Sequence, residues 1–337
     1  VIIALLLLAY AALLAVAGPY VVRRARWVER APRSGIIAWQ VLSLAFIGSL
    51  VMGGLALSVP DLRVGTDLAE LLQACLVALR AQYATPGGAV IGISGVGLAL
   101  LVLLRCGWRV AVTLWRAIAD RRRHLAALRL LARQDGRLGA VVLDHAVPAA
   151  YCLPGLRQRI VLTSGALAVL SDEQLQAVLA HERAHLRARH DLVAAFAAGL
   201  TSAFPRLRLF TAIRDETARL MELAADDSAA RSTHRLVAAE ALLNVASQQN
   251  PAGAFAAGGS GTGDRVRRLI SGVTPFGRMR LAITGGATAA LLAVPLAIFA
   301  GPAATLLDTA CCPTGPFAPS HVQVCQAMPT VRNCPPN

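Results

Sequence analysis

One pentad in the 337-residue chain has residue types and spacing suited to metal chemistry: His181-Glu182-Arg183-Ala184-His185. On an α-helix, positions i and i+4 differ by about 40°, so both imidazoles leave the same face and can share one zinc ion. Glu182 stands beside them, where it can hold the attacking water and take its proton. Seven His and seven Glu in 337 residues would produce only ~0.003 such pentads by chance. The competing reading is a solvated polar helix face on a chain that has lost its chemistry.

A catalytic zinc needs a third protein ligand and one open position. Two residues are candidates. Asp191 lies six residues after His185, but reaching back to the metal needs a sharp break, and Leu186-Arg-Ala-Arg-His190 contains neither Gly nor Pro. Glu222 lies within Glu222-Leu-Ala-Ala-Asp226-Asp227 on a later helix. Its i+4 neighbour Asp226 shares that face and can orient a ligating His through a hydrogen bond. Glu222 is therefore the stronger candidate.

These residues must be held by ordinary secondary structure. Ser171-Asp-Glu-Gln174 is a capping box that opens a helix with Leu175, Val178 and Leu179 on its buried face, leading into the pentad. Ala140–Asp144 and Arg159–Thr163 read as short strands separated by a loop holding Pro148 and Pro154-Gly155. Ala111–Ala132 reads as an interfacial amphipathic helix, with Leu125, Leu128, Leu131 and Ala132 at three-to-four spacing between arginines.

Composition places the chain at a membrane. Hydrophobic residues make up 56% and charged residues only 15%, against about 25% charged in soluble domains. Four apolar runs are long enough to cross a bilayer: Val1–Val22, Ile36–Val59, about Gly87–Leu104, and about Leu281–Leu307 with Pro295 inside it. Leu192–Phe204 is apolar but too short for a fifth span. It is expected to be a core or membrane-dipping helix.

The net charge of +14 first suggests nucleic acid. Position along the chain argues otherwise. All 33 basic residues are Arg, and 30 of them flank the same ends of the apolar runs; only Arg63, Arg80 and Arg332 lie on the other side, against Asp61, Asp67, Glu70 and Asp308. The positive-inside rule thus puts Arg105–Arg280 in the cytoplasm and both termini outside, in a multi-pass plasma-membrane protein. The charge reads as topology, no basic helix-turn-helix pattern is found, and no direct nucleic-acid binding is expected. Cys75, Cys311, Cys312, Cys325 and Cys334 fall outside, so the Pro- and Cys-rich tail is expected to hold at least one disulfide. Cys106 and Cys152 fall inside and stay reduced.

The expected organisation is four transmembrane helices with a cytoplasmic α+β zincin-like metallopeptidase domain between spans three and four. Residues 1–110 hold three spans, 111–280 the peptidase domain, 281–307 the fourth span and 308–337 the tail.

His181-Glu-x-x-His185 followed by Glu222-x-x-x-Asp226 resembles the gluzincin arrangement of integral-membrane metallopeptidases, shared by BlaR/MecR-type antirepressor peptidases and HtpX/CAAX-prenyl-type proteases. Ala150–Leu167, Leu175–Asp191, Phe204-Pro205 and the order of three spans, protease and fourth span resemble the BlaR/MecR group most. The likeness spans roughly Val1–Leu307, with specific motifs confined to about Ala150–Asp227. It implies one Zn²⁺ held by His181, His185 and Glu222, Glu182 as general base and Asp226 behind a ligand. By the same analogy, Ile160–Thr163 would edge the cleft and pair with an extended substrate. Sensor members of that group carry a penicillin-binding domain after the last span, with an acylated Ser in Ser-x-x-Lys. This sequence has no Lys and about 30 residues there, so β-lactam acylation by that chemistry is not expected.

The leading expectation is a membrane-embedded zinc endopeptidase in regulatory proteolysis, with a protein substrate such as a cytoplasmic transcriptional repressor or the chain itself. The alternatives are an HtpX/CAAX-type quality-control protease and a non-catalytic signalling scaffold. His190 is read as a helix C-terminal cation. His234 and Arg265 are cations able to face an oxyanion, but no pattern assigns either to that role.

Overall fold

The computed structural model describes residues 2–58, 87–155, 158–249, 260–272 and 277–308. Helices dominate. In chain order they are α1 (Ile2–Arg24), α2 (Trp27–Arg30), α3 (Pro32–Ser58) and α4 (Gly88–Leu131), then, after the strands, α5 (Ser164–Val169), α6 (Asp172–Arg187), α7 (His190–Ala203), α8 (Arg208–Ser232), α9 (Arg235–Gln249), α10 (Ser260–Ser271) and α11 (Arg278–Asp308). Four of these, α1, α3, α4 and α11, are long and apolar enough to cross a membrane. Leu5, Val16, Leu101, Leu104 and Leu296 on them stay exposed, as lipid-facing side chains do.

α4 corrects one expectation. The third span and the amphipathic segment from Ala111 form a single unbroken helix of 44 residues, about 66 Å at 1.5 Å per residue. No Gly-Pro break separates the apolar half from the arginine-rich half, so the intrahelical hydrogen bonds run straight through residue 110. Residues 59–86, with Cys75, and residues 309–337, with the expected disulfide, lie outside the described residues.

Between α4 and α5 lies a four-stranded sheet: β1 (Ala132–Asp135), β2 (Ala140–Leu143), β3 (Ala150–Leu153) and β4 (Arg159–Thr163). Its order is β1-β2-β4-β3, with β2 and β4 parallel (Val141 opposite Val161) and the other pairs antiparallel. β2 and β4 match the two apolar runs of the sequence. β1 and β3 carry too little alternation to be seen there. The order corrects a second expectation: β4 has β2 on one side and β3 on the other, so its backbone groups are already used. The edge strand beside the site is β3.

Two cores meet along α8. Trp39, Leu42 and Phe46 of α3 pack with Leu200 of α7 and with Phe210, Ile213 and Leu220 of α8, while Leu162, Leu179, Ala239 and Leu269 form a second cluster that includes Ala229 of α8. The α7–α8 turn at Phe204-Pro205 seats Phe204 and Phe210 against Phe46, with ring centroids 6.0 and 5.5 Å away. The buried α7 helix thus packs inside the fold. Its Gly199 permits close approach to α4: a Cβ there would stand 2.7 Å from Val110 Cα. Farther along α8, Thr217 Oγ1 accepts a hydrogen bond from Gln40 Nε2 of α3 at 3.1 Å, tying the helix that bears Glu222 directly to a candidate span.

Candidate metal centre

α6 begins as its sequence dictates. The Ser171 hydroxyl accepts from the Gln174 backbone N–H, the Gln174 side chain accepts from the Ser171 N–H, and Leu175, Leu179 and Ala180 are buried. Two turns on, His181 and His185 point the same way, with Nε2 atoms 3.1 Å apart. α8 crosses this face and brings Glu222 to 3.6 Å from His181 Nε2 and 3.5 Å from His185 Nε2. In tetrahedral zinc sites, metal–donor distances near 2.0–2.1 Å put neighbouring donors about 3.3–3.4 Å apart. The triangle of 3.1, 3.5 and 3.6 Å fits that requirement. Among the described residues, His181, His185 and Glu222 are the group able to surround a metal ion.

Each imidazole is held from behind. His181 Nδ1 lies 3.1 Å from Asp226 Oδ1, one helical turn beyond Glu222. His185 Nδ1 lies 2.9 Å from His190 Nδ1. Both contacts engage the ring nitrogen that does not face the triangle, and so favour the Nδ1–H tautomer that leaves Nε2 free to ligate.

His190 was not legible in this role. It is not a helix C-terminal cation but the buried first residue of α7. On a continuous helix, a residue five after His185 would point elsewhere. The chain instead breaks at Arg189, which adopts a left-handed φ of 51° without being Gly. That turn folds His190 back onto His185. It also aims Asp191 away from the triangle, toward Arg121 at 3.1 Å and Arg189 at 3.6 Å. A sharp break after the pentad therefore does exist, but it does not bring Asp191 to the ligand cluster.

Arg265 of α10 closes the network. Its guanidinium donates to both oxygens of Asp226 at 2.7 Å, and its Nη1 lies 3.0 Å from Glu222 Oε2. His234 is exposed at the start of α9, where its Nδ1 accepts from the Leu236 N–H at 3.3 Å, away from the site.

The electrostatics follow from burial and pairing. Burial disfavours protonated His181, yet the carboxylates of Asp226 and Glu222 outweigh it and lift its pKa to about 9. Burial, unrelieved by the nearby Glu222, lowers His185 to about 4. Burial would raise Asp226, but Arg265 and His181 hold it down at about 2. Glu182 is pushed up, chiefly by burial. The Cys152 thiol of β3 stands beside it, and burial together with the Glu182 carboxylate raises that thiol's pKa to about 12. No spacing in the sequence links Cys152 to Glu182, since the contact depends on β3 packing over α6. The cleft between them, about 160 Å³, is lined by Ala150, Val178, His181, Glu182 and Glu222.

No curated protein and no solved structure is significantly similar to the chain. Residues 121–272, which include the sheet, the His pentad, Glu222 and Arg265, match the model of Peptidase family M48, whose members are zinc metalloproteases; with the four apolar helices, this match supports a membrane metallopeptidase.

Proposed function

We propose that the chain is a membrane-embedded zinc endopeptidase that carries out regulatory proteolysis on the cytoplasmic side. The carrying observation is the triangle of His181 Nε2, His185 Nε2 and the Glu222 carboxylate, with Glu182 on the same helix. These three side chains would hold the zinc. When bound, zinc supplies a Lewis acid that polarises the scissile carbonyl and acidifies water. Glu182, buried and with a raised proton affinity, takes the proton from the attacking water and returns it to the leaving amine. Asp226 and His190 fix the two imidazoles, and Arg265 fixes Asp226. The free edge of β3 is suited to pairing with an extended substrate backbone along the cleft.

The regulatory reading rests on the likeness of Ala150–Leu167, Leu175–Asp191, Phe204-Pro205 and the order of spans to antirepressor peptidases. HtpX-type proteases tend to place spans between the His pentad and the ligand Glu. Here no candidate span lies in that interval among the described residues; its apolar helix is α7, 14 residues packed against α4 and α8. The expected substrate is a cytoplasmic repressor or the chain itself, and the arginine asymmetry supports a cytoplasmic site with both termini outside.

The test compares protein N-termini in cells expressing the wild type and Glu182→Gln. The variant should retain zinc, because Glu182 is not in the triangle, and lose about 10²–10⁴-fold in turnover. Identical sets of cleaved N-termini, or wild-type turnover by the purified variant, would refute the assignment.

A further inference from the structure

Behind the ligand cluster lies a separate cavity of about 1130 Å³, walled by the α2–α3 turn and by parts of α6, α8, α9 and α10. Six arginines line it: Arg30, Arg33, Arg187, Arg231, Arg235 and Arg268. Asp227 is the one carboxylate on its wall among the described residues. Arg268 already occupies both Asp227 oxygens, at 2.6 and 3.1 Å. Arg30, Arg33, Arg231 and Arg235 form no ion pair with any described residue.

Membrane topology alone does not produce this arrangement. Arg30 and Arg33 flank a span, as the positive-inside rule requires. Arg187, Arg231, Arg235 and Arg268 come instead from the folded domain, on four different helices or helix ends, and converge on the same space. The packing makes room for them. Gly272, with φ of +67°, sits against Arg235, and a Cβ there would lie 1.8 Å from its Nη1. Any other residue type at Gly272 would displace that guanidinium.

Arg30, Arg33, Arg231 and Arg235 are exposed around the open mouth of this cavity, where like charges on neighbouring elements sum to a positive potential that attracts anions. Guanidinium groups present forked N–H donors that match phosphate oxygens, and a phosphate can accept from several at once. Pro32 and Ser34, in the first turn of the candidate span α3, also line the cavity, so it lies beside the arginine-flanked end of that helix.

We propose that this cavity binds a phosphate-bearing anion, either a phospholipid headgroup or free phosphate. It is distinct from the metal centre, and none of its arginines is a ligand or proton donor there.

The test follows the unfolding temperature of the full chain in neutral-detergent micelles at fixed ionic strength. Three probes are titrated: phosphatidylglycerol, diacylglycerol (the same apolar body without phosphate) and inorganic phosphate. A saturable rise of about 5–10 °C at a hundredfold excess over Kd is expected with phosphatidylglycerol or phosphate, and none with diacylglycerol. A rise with phosphatidylglycerol alone identifies the headgroup. An equal rise with inorganic phosphate identifies the free anion.

Arg231→Gln/Arg235→Gln should weaken the response about a hundredfold, about tenfold for each charge-assisted contact. Arg30→Gln/Arg33→Gln, contributed by the α2–α3 turn, should weaken it likewise. Arg133→Gln/Arg137→Gln removes the same charge from exposed positions outside the cavity and should leave the response intact. The proposal is overturned by no saturable rise in the wild type, by an intact response in either cavity pair, or by equal weakening in the control pair.

Discussion

Asp226→Ala tests the logic of the site most directly. The Asp226 side chain is buried and accepts two hydrogen bonds from Arg265 at 2.7 Å, with His181 Nδ1 at 3.1 Å. Removing the carboxylate leaves a buried guanidinium without its main partner, which typically costs about 3–5 kcal/mol. Linkage gives a similar figure. A pKa of about 2, against roughly 3.9 for an unperturbed Asp, corresponds to about 2–3 kcal/mol of stability at neutral pH. Because the folded pKa is depressed, this contribution is fully present above about pH 4 and is lost as pH falls through about 2.

The expected loss of about 3 kcal/mol lowers the unfolding temperature of a domain this size by roughly 6–12 °C. Zinc affinity should fall about 10–100-fold, because His181 loses the acceptor that fixes its tautomer. A double variant, Asp226→Ala/Arg265→Leu, separates the two effects. Removing both charges should restore most of the stability but none of the zinc affinity. The assay is differential scanning of the detergent-solubilised chain with zinc titrated in parallel. An Asp226→Ala protein that unfolds within 1–2 °C of the wild type and keeps its zinc affinity would refute the argument; so would a double variant no more stable than the single one.

Glu222→Ala should abolish stoichiometric zinc binding, whereas Asp191→Ala should keep the metal while losing its pairing with Arg121; metal content of the two purified proteins decides between them. Gly199→Val places a Cβ 2.7 Å from Val110 Cα and should force α7 off α4 at a cost of about 1–3 kcal/mol, read as a lower unfolding temperature; an unchanged value would contradict the helix crossing. A cysteine introduced at the exposed position Arg137 should resist a membrane-impermeant thiol reagent in intact cells and react after lysis, and labelling before lysis would invert the proposed topology.

Local pattern was enough for the elements whose physics is local. The capping box at Ser171, the i, i+4 imidazoles and the apolar lengths of the spans depend on residues within a few turns of each other, so the sequence shows them directly. Asp226 was legible as a helical neighbour of Glu222 for the same reason. β4 was legible as a strand, but its place inside the sheet was not, because strand order depends on where β3 returns after the loop. The unbroken α4 was missed because a change from apolar to basic residues looks like a boundary, although backbone hydrogen bonding does not respond to side-chain charge.

The partners of the site belong to tertiary structure. Arg265 meets Asp226 across 39 residues, and Cys152 meets Glu182 only because β3 lies over α6. His190 reaches His185 through a left-handed turn at an Arg, which no propensity favours and which the surrounding packing holds in place. Sequence alone thus determined which groups could bind a metal and which helices could span a bilayer, because spacing on one helix sets both. Only the fold decided how near Glu222 comes to the two imidazoles, which strand edges the cleft and where the unpaired arginines converge, because those outcomes depend on elements far apart in sequence packing against one another.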